Sequence, residues 1–163
     1  MRPGSVRIPG AQRWLLFALL AISWLSGVSF FVLNTWVTIE GEFGPEKHPW
    51  QFGVLKTHGA AAFLMMIGFG FLLASHVPPG WRIRRMRPLG LVLVSAVALQ
   101  IITAYLLYYL GDETFRQSSS YVHSFIGVSL PLVLLAHLRQ GVRRRKPRGS
   151  RRREVAESSR NTR

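Results

Sequence analysis

Four of the five histidines in this 163-residue chain lie in long apolar stretches: His58, His76, His123 and His137. An imidazole is costly in such surroundings unless something pairs with it, and the spacing offers pairs. At about 100° per residue, the interval from His58 to His76 closes five helical turns, so both lie on one helix face. The interval from His123 to His137 misses whole turns by about 40°, so those two share a broad face. Imidazoles facing each other at two depths are what bis-histidine haem ligation needs. One neutral imidazole binds on each side of the iron, and facing helices of a bundle commonly supply them. Zinc fits less well, because it wants about four close ligands and each pair offers two.

Four uncharged or nearly uncharged blocks must carry these residues: 14–39, 54–77, 89–111 and 117–138. Each exceeds the roughly 20 residues that a helix needs to cross about 30 Å of hydrocarbon. Barrel strands, about 10 residues long with alternating polarity, are absent from the pattern. The expected fold is an all-α integral membrane four-helix bundle over 14–141. A basic segment, 1–13, precedes it, and a basic disordered tail, 142–163, follows. The first block is too long for a signal-peptide core and lacks a clear cleavage site, so it is expected to remain as the first span.

Charge sets the orientation. The chain has 21 Lys and Arg against 7 Asp and Glu, a net charge of +14. Arg2, Arg7 and Arg13 precede the first span, and Glu40, Glu42, Glu46 and Lys47 follow it. Arg82, Arg84, Arg85 and Arg87 follow the second, and Asp112, Glu113 and Arg116 follow the third. Eleven basic residues lie from Arg139 onward. The positive-inside rule then predicts both termini in the cytoplasm (N-in/C-in). The tail reads as a partner for anionic lipid headgroups and not for nucleic acid. With no cysteine, the chain forms no disulfide, iron–sulfur cluster or thioether haem bond of its own.

In that topology spans two and four run in the same direction. His58 and His123 then form an outer pair, and His76 and His137 an inner pair. The heights differ: roughly 27 Å separates the first two histidines of one span and roughly 21 Å the two of the other, a mismatch of about 6 Å. Helix tilt, or a bend at Pro131, could absorb part of it. Ala62, Met65, Phe69 and Leu72 share the face of His58 and His76, and Gly127, Leu130 and Leu134 that of His123 and His137. Gly59, Gly68, Gly70 and Gly127 are small enough to admit a macrocycle, and equally suited to helix–helix packing.

Other polar residues have bland readings beside functional ones. Arg82 and Arg84 could neutralise propionates of an inner haem, and Lys56 or Arg116 those of an outer one, although topology already accounts for the two arginines. Gln100 reads as an interhelical hydrogen-bonding residue. His48 reads as a loop residue, or as a point where electrons or protons enter. Asp112 and Glu113 read as a solvated turn. Tyr105, Tyr108 and Tyr109 join Trp36 and Trp50 in an aromatic belt, with Trp81 at the other boundary.

Two histidines on the second span and two on the fourth, with glycine-containing apolar faces between them, resemble the di-haem core of membrane b-type cytochromes. The related small four-span cytochromes serve hydrogenases and dehydrogenases. The resemblance covers about 56–141, and the His58–His76 spacing is longer than usual in that pattern. It implies two b haems, one held by His58 and His123 and the other by His76 and His137. It further implies transmembrane electron transfer with a quinone or a periplasmic or membrane redox partner. The pattern "HG…HVPPGWRIRR…LLYYLGDE…HSFIG…H" is also similar to that of small uncharacterised bacterial four-span proteins, which implies a multi-pass protein of the bacterial inner membrane.

The sequence contains no nucleotide-binding glycine loop, no Ser–His–Asp arrangement and no HExxH motif. An electron-transfer subunit is therefore expected in preference to a stand-alone enzyme. The alternatives are a non-haem membrane scaffold or assembly subunit, and a small transporter with a histidine proton relay. The relay lacks continuity, because spans one and three carry no ionisable residue near the midplane except Tyr105.

Overall fold

An apolar run in lipid must satisfy its backbone internally, and the first one does so as helix α1, Gly10–Trp36. The computed structural model describes residues 9–82 and 87–143. After α1, strands β1 (Thr38–Gly41) and β2 (Gly44–Lys47) form an antiparallel hairpin in which Thr38 faces Lys47 and Gly41 faces Gly44. Sequence reading treats this stretch only as a connection. Gly44 has φ of 116°, a conformation that side-chain-bearing residues avoid. Pro45 is tolerated because both strands are edges.

Helix α2, Trp50–Ser75, follows. Its first turn is anchored by His48, whose Nδ1 accepts the Trp50 backbone N–H at 3.2 Å. His76 closes α2, and the short helix α3, Val77–Arg82, continues the chain. Pro78 and Pro79 sit in the first turn of α3, where a missing N–H removes no intrahelical bond. Helix α4 spans Arg87–Tyr109, and α5 spans Glu113–Arg143. Asp112 caps α5, its carboxylate accepting the Phe115 N–H at 3.0 Å, with Glu113 placed favourably at the positive helix end. Pro131 lies inside α5 without ending it.

The chain is thus an all-α four-helix bundle made of two helical hairpins. α1 packs along α2, α4 packs along α5, and α1 also meets α5. Four stretches are long and apolar enough to cross a membrane: Gly10–Trp36, Trp50–Pro79, Pro88–Tyr109 and Glu113–Gln140. The exterior suits that setting. Phe63, Ile67, Phe125 and Leu132 are each at least 59% exposed, an apolar surface that water would penalise. Trp36, Trp50, Tyr105, Tyr108 and Tyr109 gather at the β-hairpin end, as an aromatic belt would. The basic segments at 1–8 and 144–163 lie outside the described residues.

Candidate functional site

The histidine face expected of α2 is observed. His58, Ala61, Ala62, Met65, Phe69, Leu72 and His76 turn inward, while Phe63, Leu64, Met66 and Ile67 are exposed. On α5 the inward face carries His123, Gly127, Leu130, Leu134 and His137. Helices α2 and α5 are not a closely packed pair, so the histidines project into the space between them.

Antiparallel packing determines what lies behind each ring. In the first helical hairpin, α1 presents Gly27 to His58 and Leu16 to Gly68. A Cβ on Gly27 would lie 2.9 Å from His58 Cε1, so only glycine leaves room for the ring there. Continued along α1, that register carries His76 past the start of the helix at Gly10. In the second hairpin, α4 presents Thr103 to His123, Gln100 to Gly127 and Gly90 to His137.

At the β-hairpin end the two imidazoles meet. The His58 and His123 ring centres are 6.2 Å apart with planes at 88°. His58 Nδ1 lies 2.8 Å from the Ser23 carbonyl oxygen, which can only accept, so Nδ1 carries the proton. Ser26 Oγ, 3.5 Å from the same nitrogen, is already committed as donor to the Ile22 carbonyl at 2.6 Å. His123 Nδ1 lies 3.0 Å from Thr103 Oγ1. The Thr103 hydroxyl also lies 2.7 Å from the Leu99 carbonyl; with its proton directed there, it accepts from His123. Nδ1 of each ring thus faces an oxygen on a neighbouring helix, the arrangement that favours an Nδ1–H tautomer and directs Nε2 away from that helix. Ser26 and Thr103, with Ala61, are the buried residues among those described.

The ring-centre separation can be compared with that of two imidazoles on one metal atom. A metal–imidazole bond is about 2 Å, and a ring nitrogen lies about 1.1 Å from its ring centre for bonds of about 1.33 Å. Two collinear ligands then place their ring centres about 6 Å apart, which matches the observed separation. A haem uses two axial imidazoles, and each partner bond to Nδ1 fixes a ligand ring in the way outer-shell bonds usually do. Among the described residues no three His, Cys, Asp or Glu side chains cluster as a metal site. His58 and His123 meet as a pair, and two imidazoles are fewer than the roughly four close ligands that zinc takes.

The opposite end differs. The only histidine–histidine ring contact among the described residues is that of His58 and His123. Nδ1 of both His76 and His137 is buried without a hydrogen-bond partner among the described residues. The longer interval on α2 explains the contrast, because bringing one pair to the same height offsets the other by about 6 Å.

The remaining candidates scatter. Gly68 lies under Leu16 and Gly127 under Gln100, so both are helix contacts, whereas Gly59 and Gly70 meet nothing within 4 Å. Gln100 Oε1 is buried without a partner among the described residues. Arg82 ends α3, and Arg84 lies outside the described residues. Lys56 sits over the Phe52 ring at 4.2 Å, and Arg116 pairs with Glu113 on the surface. His48 lines a cavity of about 350 Å³ with Phe30, Gln51, Phe52 and Leu55. Phe30 and Leu55 each lie one helical turn beyond the contact between Gly27 and His58. Lys47 and Gln51 both donate to Asn34 Oδ1, at 3.3 and 2.9 Å, and so tie the β-hairpin and the start of α2 to α1.

Sequence reading missed Ser23, Ser26, Gly27 and Thr103. Their only signal is a small or hydroxylated residue in an apolar helix, which ordinary packing also produces. The chain matches no family model, no curated protein and no solved structure. Nothing in those comparisons identifies a cytochrome b, and the functional reading stands on the geometry of the histidines.

Proposed function

We propose that the protein is a b-type membrane cytochrome that moves electrons across the bilayer, with both termini in the cytoplasm. One observation carries this reading: the ring centres of His58 and His123 lie at the separation of two axial ligands, with Nδ1 of each facing an oxygen on a neighbouring helix. In this reading His58 and His123 hold one haem b near the outer face, and His76 and His137 hold a second near the inner face. Haem iron supplies a reversible one-electron carrier when bound. The chain's own residues orient the ligand rings and keep water from the site with an apolar shell. The cavity beside His48 lies one turn beyond the outer site and is where a quinone or redox partner exchanges electrons. The inner membrane of a bacterium is the proposed location.

The test is direct. The protein is purified in detergent from a haem-replete host, and reduced-minus-oxidised spectra are recorded with a pyridine haemochrome assay. The expected result is b-type haem at close to two per chain. Protein without haem would overturn the reading and leave a non-haem scaffold in its place.

A further inference from the structure

The hydrogen bonds behind the two facing histidines are alike in plan but unlike in material. On α1 the group that receives the proton of His58 is the Ser23 backbone carbonyl at 2.8 Å, and the nearby Ser26 hydroxyl is 3.5 Å away. On α4 a side-chain oxygen, the Thr103 hydroxyl, lies 3.0 Å from His123 Nδ1, with the Gln100 backbone carbonyl beside it. That hydroxyl is itself locked by the Leu99 carbonyl at 2.7 Å and lies 3.2 Å from the Gln100 carbonyl. With its proton on one of those carbonyls, its lone pair faces His123.

We infer that α1 and α4 act as a pair of braces that select the metal-facing nitrogen of His58 and His123, with Gly27 and Thr103 as the positioning residues. The inference rests on the haem reading for its purpose, but the braces exist without the metal. Gly27 supplies the space in which the His58 ring reaches the Ser23 carbonyl, since a methyl group there would meet Cε1 at 2.9 Å and Nδ1 at 3.0 Å. Thr103 supplies a pure acceptor. Valine has the same shape without a lone pair and leaves the Nδ1–H of His123 facing a methyl group. The ring then gains by moving its proton to Nε2, the nitrogen a metal needs unprotonated. Ser26 is dispensable by the same reasoning, because a backbone carbonyl already serves His58.

Two readouts on the full chain test this. Imidazole nitrogen NMR of haem-free protein in detergent reports tautomers directly. Wild type should show Nδ1–H at His58 and His123, Ser26→Ala should match it, and Thr103→Val should shift His123 toward Nε2–H. Haem titration of the same proteins should show an affinity loss of about 10–100-fold for Thr103→Val, the usual range for an outer-shell partner. Thr103→Ser should restore both signals, and Gly27→Ala should lose haem at this site while the helices stay intact. An Nε2–H tautomer at either wild-type histidine, or identical behaviour of Thr103→Val and Ser26→Ala, would overturn the inference. Wild type with the expected tautomers but no haem affinity would instead overturn the haem reading and leave the braces standing.

Discussion

The imidazole of His58 stands 6.2 Å from that of His123, ring centre to ring centre, with the two planes nearly perpendicular. The rings come from different helical hairpins. Neither helix could present such a site alone.

If both rings serve one atom, as proposed, His58→Ala and His123→Ala should have the same effect. Each is expected to remove the same spectral component and to lower haem content from about two per chain to about one. Redox-titrated visible spectra check this. Loss of different components from the two variants would contradict a shared ligand site.

Gly68 should be intolerant of a methyl group for a reason separate from the histidines. A Cβ there would lie 2.5 Å from Leu16 Cδ2, and overpacking of this kind costs about 1–3 kcal/mol. Gly68→Ala should lower unfolding stability in detergent, and adding Leu16→Ala should recover most of the loss. An unchanged midpoint for Gly68→Ala would show that the Leu16 side chain turns aside without cost.

Asp112 should matter for α5 and not for the histidines. Its carboxylate accepts the Phe115 N–H at 3.0 Å, and removing such a cap costs about 0.5–2 kcal/mol. Asp112→Ala is expected to destabilise by that amount, Asp112→Asn by less, and neither should alter the haem spectrum. A spectral change would assign Asp112 a role near the cofactor.

Phe43, 91% exposed at the tip of the β-hairpin, reports orientation. The chain has no cysteine, so Phe43→Cys gives a single thiol. In intact cells it should react with a membrane-impermeant maleimide, and a cysteine added after Arg163 should react only after lysis. The reverse pattern would invert the proposed topology.

Most of the scaffold is legible in the sequence. The apolar blocks at 14–39, 54–77, 89–111 and 117–138 correspond to α1, α2, α4 and α5, because hydropathy and length are local properties that lipid converts directly into helices. The inward faces are equally legible, since a regular helical period fixes which residues share a side. Thus His58 with Ala62, Met65 and Phe69, and His123 with Gly127 and Leu130, could be placed without coordinates. The β-hairpin was not legible, because Glu40 to Lys47 mixes charges, glycine and proline in a pattern that also suits an irregular loop.

The sequence alone therefore determines that four histidines sit at two depths on two inward helix faces. Tertiary structure decides which nitrogens are free to act, because that depends on what an adjacent helix places behind each ring. The Ser23 carbonyl, the Gly27 gap and the Thr103 hydroxyl reach the histidines only through the antiparallel register of each helical hairpin. The same register separates the two ends. It sets His58 and His123 against braces and carries His76 past the end of α1, leaving His76 and His137 with Nδ1 unpartnered among the described residues.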